Sequence, residues 1–169
     1  PSNAGHLYQQ VGLIFQNSDI QLFNTTVAEE LAFGPRQLGL TEEEIEKRVN
    51  DTLVLLEIEH LKDRIPYHLS GGEKKLVAIA SVLTMNPSVL LFDEPFNGLS
   101  PKYQRLIAEL LQELKAAGKT MIISSHHYEQ IQEVIQRVLV FSEKHTLTDD
   151  FTKEEWEGNP EFRENFHLG

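Results

Sequence analysis

Two apolar spacings alternate along this chain of 169 residues. Short continuous apolar runs occupy residues 9–16 (QQVGLIFQ), 88–92 (SVLLF) and 119–125 (KTMIISS). Each is too short for a helix, so each predicts a buried strand, the run at 88–92 buried on both faces of a parallel sheet. Between these runs the apolar positions recur every three or four residues. Ile45, Val49, Leu53 and Leu56 make one stripe, and Leu76, Ile79, Ala80 and Leu83 a second. Tyr103, Leu106, Ile107, Leu110, Leu111 and Leu114 make a third. Each stripe predicts a helix with one face in a core. Strands alternating with helices in this way predict an α/β fold.

Local signals set the ends of these elements. Thr26-x-x-Glu29, Thr41-x-x-Glu44, Ser70-x-x-Glu73 and Thr152-x-x-Glu155 are capping-box patterns. The first helix is expected to stop before Gly34-Pro35, and the helix from Ser70 to run to about Met85, where Asn86-Pro87 ends it. Ser100 is placed to cap the next helix, with Pro101 at its first position and Gly118 closing it. Residues 134–142 predict one more strand. A hairpin through Glu143-Lys144-His145 then returns near residues 146–148, although the turn lacks the expected Gly. Trp156 falls on a short helix after Thr152, and Asn159-Pro160 opens a last one with Phe162 and Phe166.

Composition narrows the function classes. The length suffices for one domain with a real core. A formal charge of −11 disfavours broad adhesion to nucleic acid or to anionic membranes. With no Cys there is neither a disulfide nor a thiolate metal site. No apolar run approaches the ~20 residues of a bilayer-spanning helix, and no signal peptide is visible. Residues 1–4 read as a tag remnant and are left out of the fold reasoning.

Two places hold chemistry. Ser70-Gly71-Gly72-Glu73 puts two glycines in the first turn of a helix, where each costs about 1 kcal/mol relative to Ala. Two together imply a close approach to the backbone, and the N–H groups of a helix N-terminus are a seat for phosphate. Asp93-Glu94 ends an apolar strand, where α/β sheets bind ligands. One carboxylate suits Mg²⁺ held through water. The other suits a water attacking a phosphoryl group. Taken singly, these features also read as a plain capping box and a solvated strand end. The adjacent His126 and His127 do not face each other on a helix and make no chelating pair.

Together Leu69-Ser70-Gly71-Gly72, the strand ending in Asp93-Glu94 and the turn from Pro95 to Pro101 resemble the signature motif, Walker B strand and D-loop of ABC ATPases, in that family's order and spacing. Residues 17–40 resemble the ATPase subunits of energy-coupling-factor and cobalt/nickel importers. Gln21-Leu22-Phe23, Thr26-Val27 and Ala32-Phe33-Gly34-Pro35 are the telling pieces. Ser18 and Ile20 depart from a common Pro and a common acid. The resemblance implies the C-terminal portion of a P-loop (RecA-like) ABC ATPase domain with an inserted helical subdomain. The core would comprise residues 5–23 and 72–169, and the helical and signature subdomain residues 24–71.

The resemblance also implies roles. Asp93 and Gln16 would attend Mg²⁺, Glu94 the attacking water and His126 the γ-phosphate. Gln16 would in addition report the nucleotide state to a membrane partner. Ser70, Gly71, Gly72 and Glu73 would face ATP held by a second ATPase subunit, a copy or a paralogue, paired head to tail. Phe23 or Phe33, if exposed, are candidates for docking on a transmembrane transporter subunit. The implied place is cytoplasmic, peripheral on the inner face of the membrane, with no nucleic acid. The function implied is ATP hydrolysis powering uptake of a metal cation or a vitamin.

Four departures qualify this. No GxxxxGK[ST] occurs among the 169 residues, so the resemblance covers about the last two-thirds of a full ATPase subunit. The chain is expected to offer its signature to a partner's ATP and to bind its own poorly. Leu76 replaces a usual Arg, Ser100 a usual D-loop Asp, and His127 a common acid. The rival readings are a non-catalytic pairing or regulatory module that completes an ATP site in trans, and an ABC-class ATPase acting on DNA or RNA. The acidic balance and residues 17–40 weigh against the latter.

Overall fold

Val11–Ile14 (β1), Val89–Asp93 (β2) and Thr120–Ser124 (β3) pair in parallel in the order β1-β2-β3. The structure is a computed structural model that describes residues 10–17, 22–126 and 128–159. In register, Gly12 lies beside Leu90 and Ile14 beside Phe92. These four residues share one face and are buried. The helix Gly71–Leu83 (α3) covers them so closely that a Cβ on Gly12 would stand 2.4 Å from Val82 Cγ1 and 2.9 Å from the Pro87 ring. On the opposite face Leu13 is 40% exposed, Ile122 57% exposed and Leu91 half-buried. So β2 is fully buried on one face only, and β3 is not a buried strand. Both findings correct the sequence expectation. Asp93 and its register partner Ser124 lie on this open face.

The helices before β2 form one packed group. Val27–Gln37 (α1) starts at Thr26, whose side chain accepts the Glu29 N–H, and its next N–H groups reach back to the Lys62 and Arg64 carbonyls. Glu42–Leu55 (α2) has the full Thr41/Glu44 capping box. Its expected stripe of Ile45, Val49, Leu53 and Leu56 is buried. Helix α1 does not stop before Gly34-Pro35, as expected, but runs through Pro35. A proline inside a helix takes the donor from the carbonyl four residues earlier, here Leu31. The buried Thr84 hydroxyl, at the end of α3, donates to that carbonyl at 2.9 Å. Arg48 of α2 reaches the Thr84 carbonyl in turn (3.1 Å), so α1, α2 and the end of α3 close on one another. Helix α3 ends at Leu83 with Thr84 as its cap, and it is buried from Lys75 through Ala80 rather than along one stripe.

Pro101–Ala116 (α4) buries Ile107, Leu110, Leu111 and Leu114, while Tyr103 and Leu106 are half-buried. Pro101 is at its start as expected, but Ser100 makes no side-chain capping bond. Gly118 closes the helix at φ 76°.

Residues from 126 onward form a second compact unit. A short turn of helix, Tyr128–Ile131 (α5), precedes the antiparallel pair Arg137–Phe141 (β4) and Leu147–Thr152 (β5). The glycine missing from the hairpin is replaced by His145, which takes the left-handed conformation itself at φ 57°. Lys153–Gly158 (α6) opens with the Thr152/Glu155 capping box and buries Trp156 against Tyr128 and Phe151. The expected last helix, with Phe162 and Phe166, lies outside the described residues.

Candidate functional site

The strands β2 and β3 end together, and Ser124 fastens the end of β2. Its hydroxyl donates to Asp93 Oδ1 at 2.7 Å. The Glu94 N–H reaches the Ser124 carbonyl (3.0 Å) and its Oγ (3.2 Å). Glu94 sits at φ 46°, a conformation that costs a non-glycine residue on the order of 1 kcal/mol. The bonds to Ser124 and the buried Phe96 two residues on hold it there. The chain then turns through Asn97 and Gly98 (φ 72°) towards α4.

At the start of α3 the capping box is reciprocal. Glu73 N–H donates to Ser70 Oγ (3.4 Å), while the Ser70 N–H and hydroxyl donate to Glu73 Oε2 (2.8 and 2.7 Å). These bonds from the Ser70 hydroxyl and amide hold the Glu73 carboxyl below its ordinary value of 4.5. Stabilisation from a depressed carboxyl is complete above the unfolded value and is lost as pH falls through the folded one. Glu73→Ala is therefore expected to cost about 1 kcal/mol near pH 7 and progressively less as the solution is acidified, read by urea unfolding across that range. The box serves the third N–H of α3. Helix geometry gives the Gly71 and Gly72 N–H groups no intrahelical acceptor.

The two glycines answer to different neighbours. A Cβ on Gly72 would meet the Tyr103 ring at 2.5 and 2.7 Å, whereas a Cβ on Gly71 has nothing within 4 Å. The close approach expected at this turn is thus made by α4 at Gly72, and Gly71 alone faces open space. Gly71 lines a cavity of about 200 Å³ shared with Gln16, Asn17, Lys75, Asn97 and Gly98. Residues from the end of β1, the start of α3 and the turn after β2 therefore border one space.

Lys75 and Ser124 were missed by sequence reasoning. Lys75 is only 2% exposed, and its ammonium donates to the Phe15 and Gln16 carbonyls at 3.2 and 2.8 Å. Burial lowers its pKa, and the nearby Asp93 and Glu94 charges pull it back upward. The available signal was a lysine among the apolar positions of α3. Ser124 carried no signal beyond ending a strand. Leu76, which replaces the usual Arg, is fully buried.

The expected residues thus fall into three sets. Asp93 and Glu94 end β2, Gln16 follows β1 at the same edge of the sheet, and Ser70 to Glu73 open α3. His126 is exposed and is the first residue of the second unit, two positions after β3, which ties it to the site by chain position alone. His127 lies outside the described residues. Among the described residues no three His, Asp or Glu side chains converge as a metal site. Mg²⁺ fits the set that is present. It commonly takes one or two carboxylates and completes its shell with water and substrate phosphates, and Asp93 offers an exposed carboxylate held in place by Ser124.

The nickel import ATP-binding protein LarO of Lactiplantibacillus plantarum is 51% identical over 158 residues, covering 94% of this chain and 66% of that protein. Among solved structures, cbiO1 from Clostridium perfringens, part of the ABC transporter complex cbiONQ, superposes with a TM-score of 0.81 at 37% identity, covering 99% of this chain and 67% of its own. The chain belongs to the ABC transporter ATPase family. An energy-coupling factor transporter ATP-binding protein EcfA of Methanothermobacter thermautotrophicus is 48% identical over 134 residues, covering 79% of this chain and 43% of that protein. The family described as "AAA domain, putative AbiEii toxin, Type IV TA system" also matches residues 5–130. The three relatives named above bear transporter names over much the same residues. This ABC ATPase chain spans between 43% and 66% of the length of these curated relatives. No helix among its described residues is long and apolar enough to cross a membrane.

Proposed function

We propose that this chain is part of an ATP-hydrolysing subunit that powers import of a metal cation, nickel or cobalt, or of a vitamin, through a transmembrane partner. The observation that supports it best is that Gln16 and the pair Asp93-Glu94, fastened by Ser124, follow neighbouring parallel strands at one edge of the sheet, where Gln16 shares a cavity with Gly71. The word nickel in the name of one relative weighs towards a metal cation.

Glu94 orients the attacking water and takes its proton on the carboxylate. Asp93 would hold Mg²⁺ through water, with Gln16 beside it, and the ion would supply neutralisation of phosphate charge there. His126 donates to the γ-phosphate. Ser70, with the outward N–H groups of Gly71 and Gly72, meets the ATP of a second subunit paired head to tail, a copy or a paralogue. Glu73 acts there through Ser70, because its carboxylate is taken up by the capping box. In this reading residues 5–23 and 72–169 belong to the ATPase core and residues 24–71 to the helical segment.

A docking point for the membrane subunit lies where that segment begins, at Phe23 just before it and Phe33 within it. Phe23 and Phe33 meet edge to face at 5.2 Å, with Phe23 68% exposed. The buried Glu30 carboxylate holds the backbone beneath Phe23 by accepting the Phe23 and Asn24 N–H groups (2.9 and 2.8 Å). The subunit is accordingly placed on the cytoplasmic face of the membrane, with no nucleic acid involved.

Two measurements test the reading. In vesicles holding the complete subunit and its membrane partner, radiolabelled nickel, cobalt or vitamin is taken up only with MgATP, and absence of any ATP-driven uptake overturns the importer reading. Calorimetry of the 169-residue chain alone is expected to show MgATP affinity weaker than about 1 mM, since these residues hold no phosphate-cradling GxxxxGK[ST] loop. Micromolar binding would refute the division of the ATP site between two subunits.

A further inference from the structure

We propose that Lys75 is a positioning residue for ATP hydrolysis, which ties the Gln16 segment to the first turns of α3 and so sets Gln16 by the helix that faces the second subunit's ATP. The inference rests on the proposed function above and adds the part that connects the two halves of the composite site.

The last paired residue of β1 is Ile14, opposite Phe92. Phe15 and Gln16 lie beyond the paired residues of the ladder. The Lys75 ammonium reaches both of their carbonyls across 60 and 59 residues of sequence, at 3.2 and 2.8 Å. A buried ammonium has a high desolvation cost, which is met only where its hydrogen bonds are satisfied. A compact, three-donor group suits two carbonyls of adjacent residues, which one neutral hydroxyl would not serve at once. Lys75 is four positions after Gly71 and borders the same cavity as Gly71 and Gln16. A shift of α3 at its N-terminus, where the partner's phosphates would bind, therefore moves the carbonyl of Gln16 with it. A lysine serving only to glue β1 to α3 would hold the fold and have no such consequence for turnover.

The test uses the complete subunit assembled with its second subunit. The variants are Lys75→Met, Lys75→Arg, Gln16→Ala and Lys75→Met/Gln16→Ala, each checked for folding by its unfolding transition. In Lys75→Met, kcat falls about tenfold to a hundredfold, the scale of a misplacement near 1 Å, with KM for MgATP within about twofold. Lys75→Arg, which keeps the charge and two donors, recovers most of the loss. The double variant turns over at the rate of Gln16→Ala alone, because the effect of Lys75 passes through Gln16. Hydrogen exchange of the nucleotide-free protein gives a reading without turnover. The amides of residues 15–17 exchange about tenfold faster in Lys75→Met, while those of α2 and β2 are unchanged.

Independent losses that multiply in the double variant, or unchanged kcat in a folded Lys75→Met, overturn the proposal. So does unchanged exchange at residues 15–17. A wild-type assembly without ATP turnover overturns the ATPase reading instead, and the exchange measurement then decides the tether by itself.

Discussion

Glu94→Gln in the complete subunit is expected to lower ATP turnover by about three orders of magnitude and to leave ATP binding within about twofold of wild type. The replacement is nearly isosteric, and the two bonds from position 94 to Ser124 are made by its backbone N–H. Its N–H reaches Ser124 O and Oγ, and the left-handed turn at φ 46° is closed by the chain on either side. None of these ties uses the carboxylate, and the Asp93–Ser124 bond does not involve position 94. What is lost is a basic oxygen beside the attacking water. The amide accepts a hydrogen bond without accepting a proton, so only the chemical step suffers. Steady-state kcat measured beside equilibrium nucleotide binding separates the two effects, and wild-type turnover in this variant would refute the role given to Glu94. Ser124 bonds to both neighbours, which is why the acid pair is rigid where a bare strand end would be solvated.

How much of this was legible depends on how far each determinant lies along the chain. The capping boxes at Thr41, Ser70 and Thr152 are complete within four residues, and all three form as their sequence predicts. The stripe of α2 was equally local. Helix α1 passes through Pro35 because Thr84 supplies the donor that Leu31 loses, and 53 residues separate them. No window around Gly34-Pro35 contains that information. Strand burial failed for a similar reason. Whether Leu13 and Ile122 are covered depends on which layers pack on the sheet, and an apolar run does not reveal that. Lys75 stands out in sequence only as a lysine among the apolar positions of α3, and the fold alone brings it to the end of β1. The acid pair and the two glycines were legible as chemistry, but their fastening by Ser124 and their division of labour were not.

That division gives the second large effect, a separation of stability from turnover at two adjacent glycines. Gly72→Ala drives a methyl into the Tyr103 ring at 2.5 Å. Overpacking of this kind costs about 1–3 kcal/mol, while the gain in helix propensity returns at most about 1 kcal/mol. The variant is expected to unfold at lower temperature, and Tyr103→Ala in the same chain to relieve part of the loss. A Cβ at Gly71 meets nothing within 4 Å, so Gly71→Asp enters open space. An acid in the first turn of α3 is favourable to the helix by about 0.3–1 kcal/mol, so the melting temperature stays level or rises. The same carboxylate occupies the open side of the turn, where a phosphate of the second subunit would bind. Repulsion between the two anions, and loss of approach to the outward N–H groups, lower turnover of the paired subunits by about a hundredfold or more. Thermal unfolding and ATPase rates on both variants decide the matter. A Gly71→Asp variant with raised or unchanged stability and undiminished turnover would remove Gly71 from the composite site. The opposite pattern would establish that the open glycine is there for a ligand and the packed one for α4.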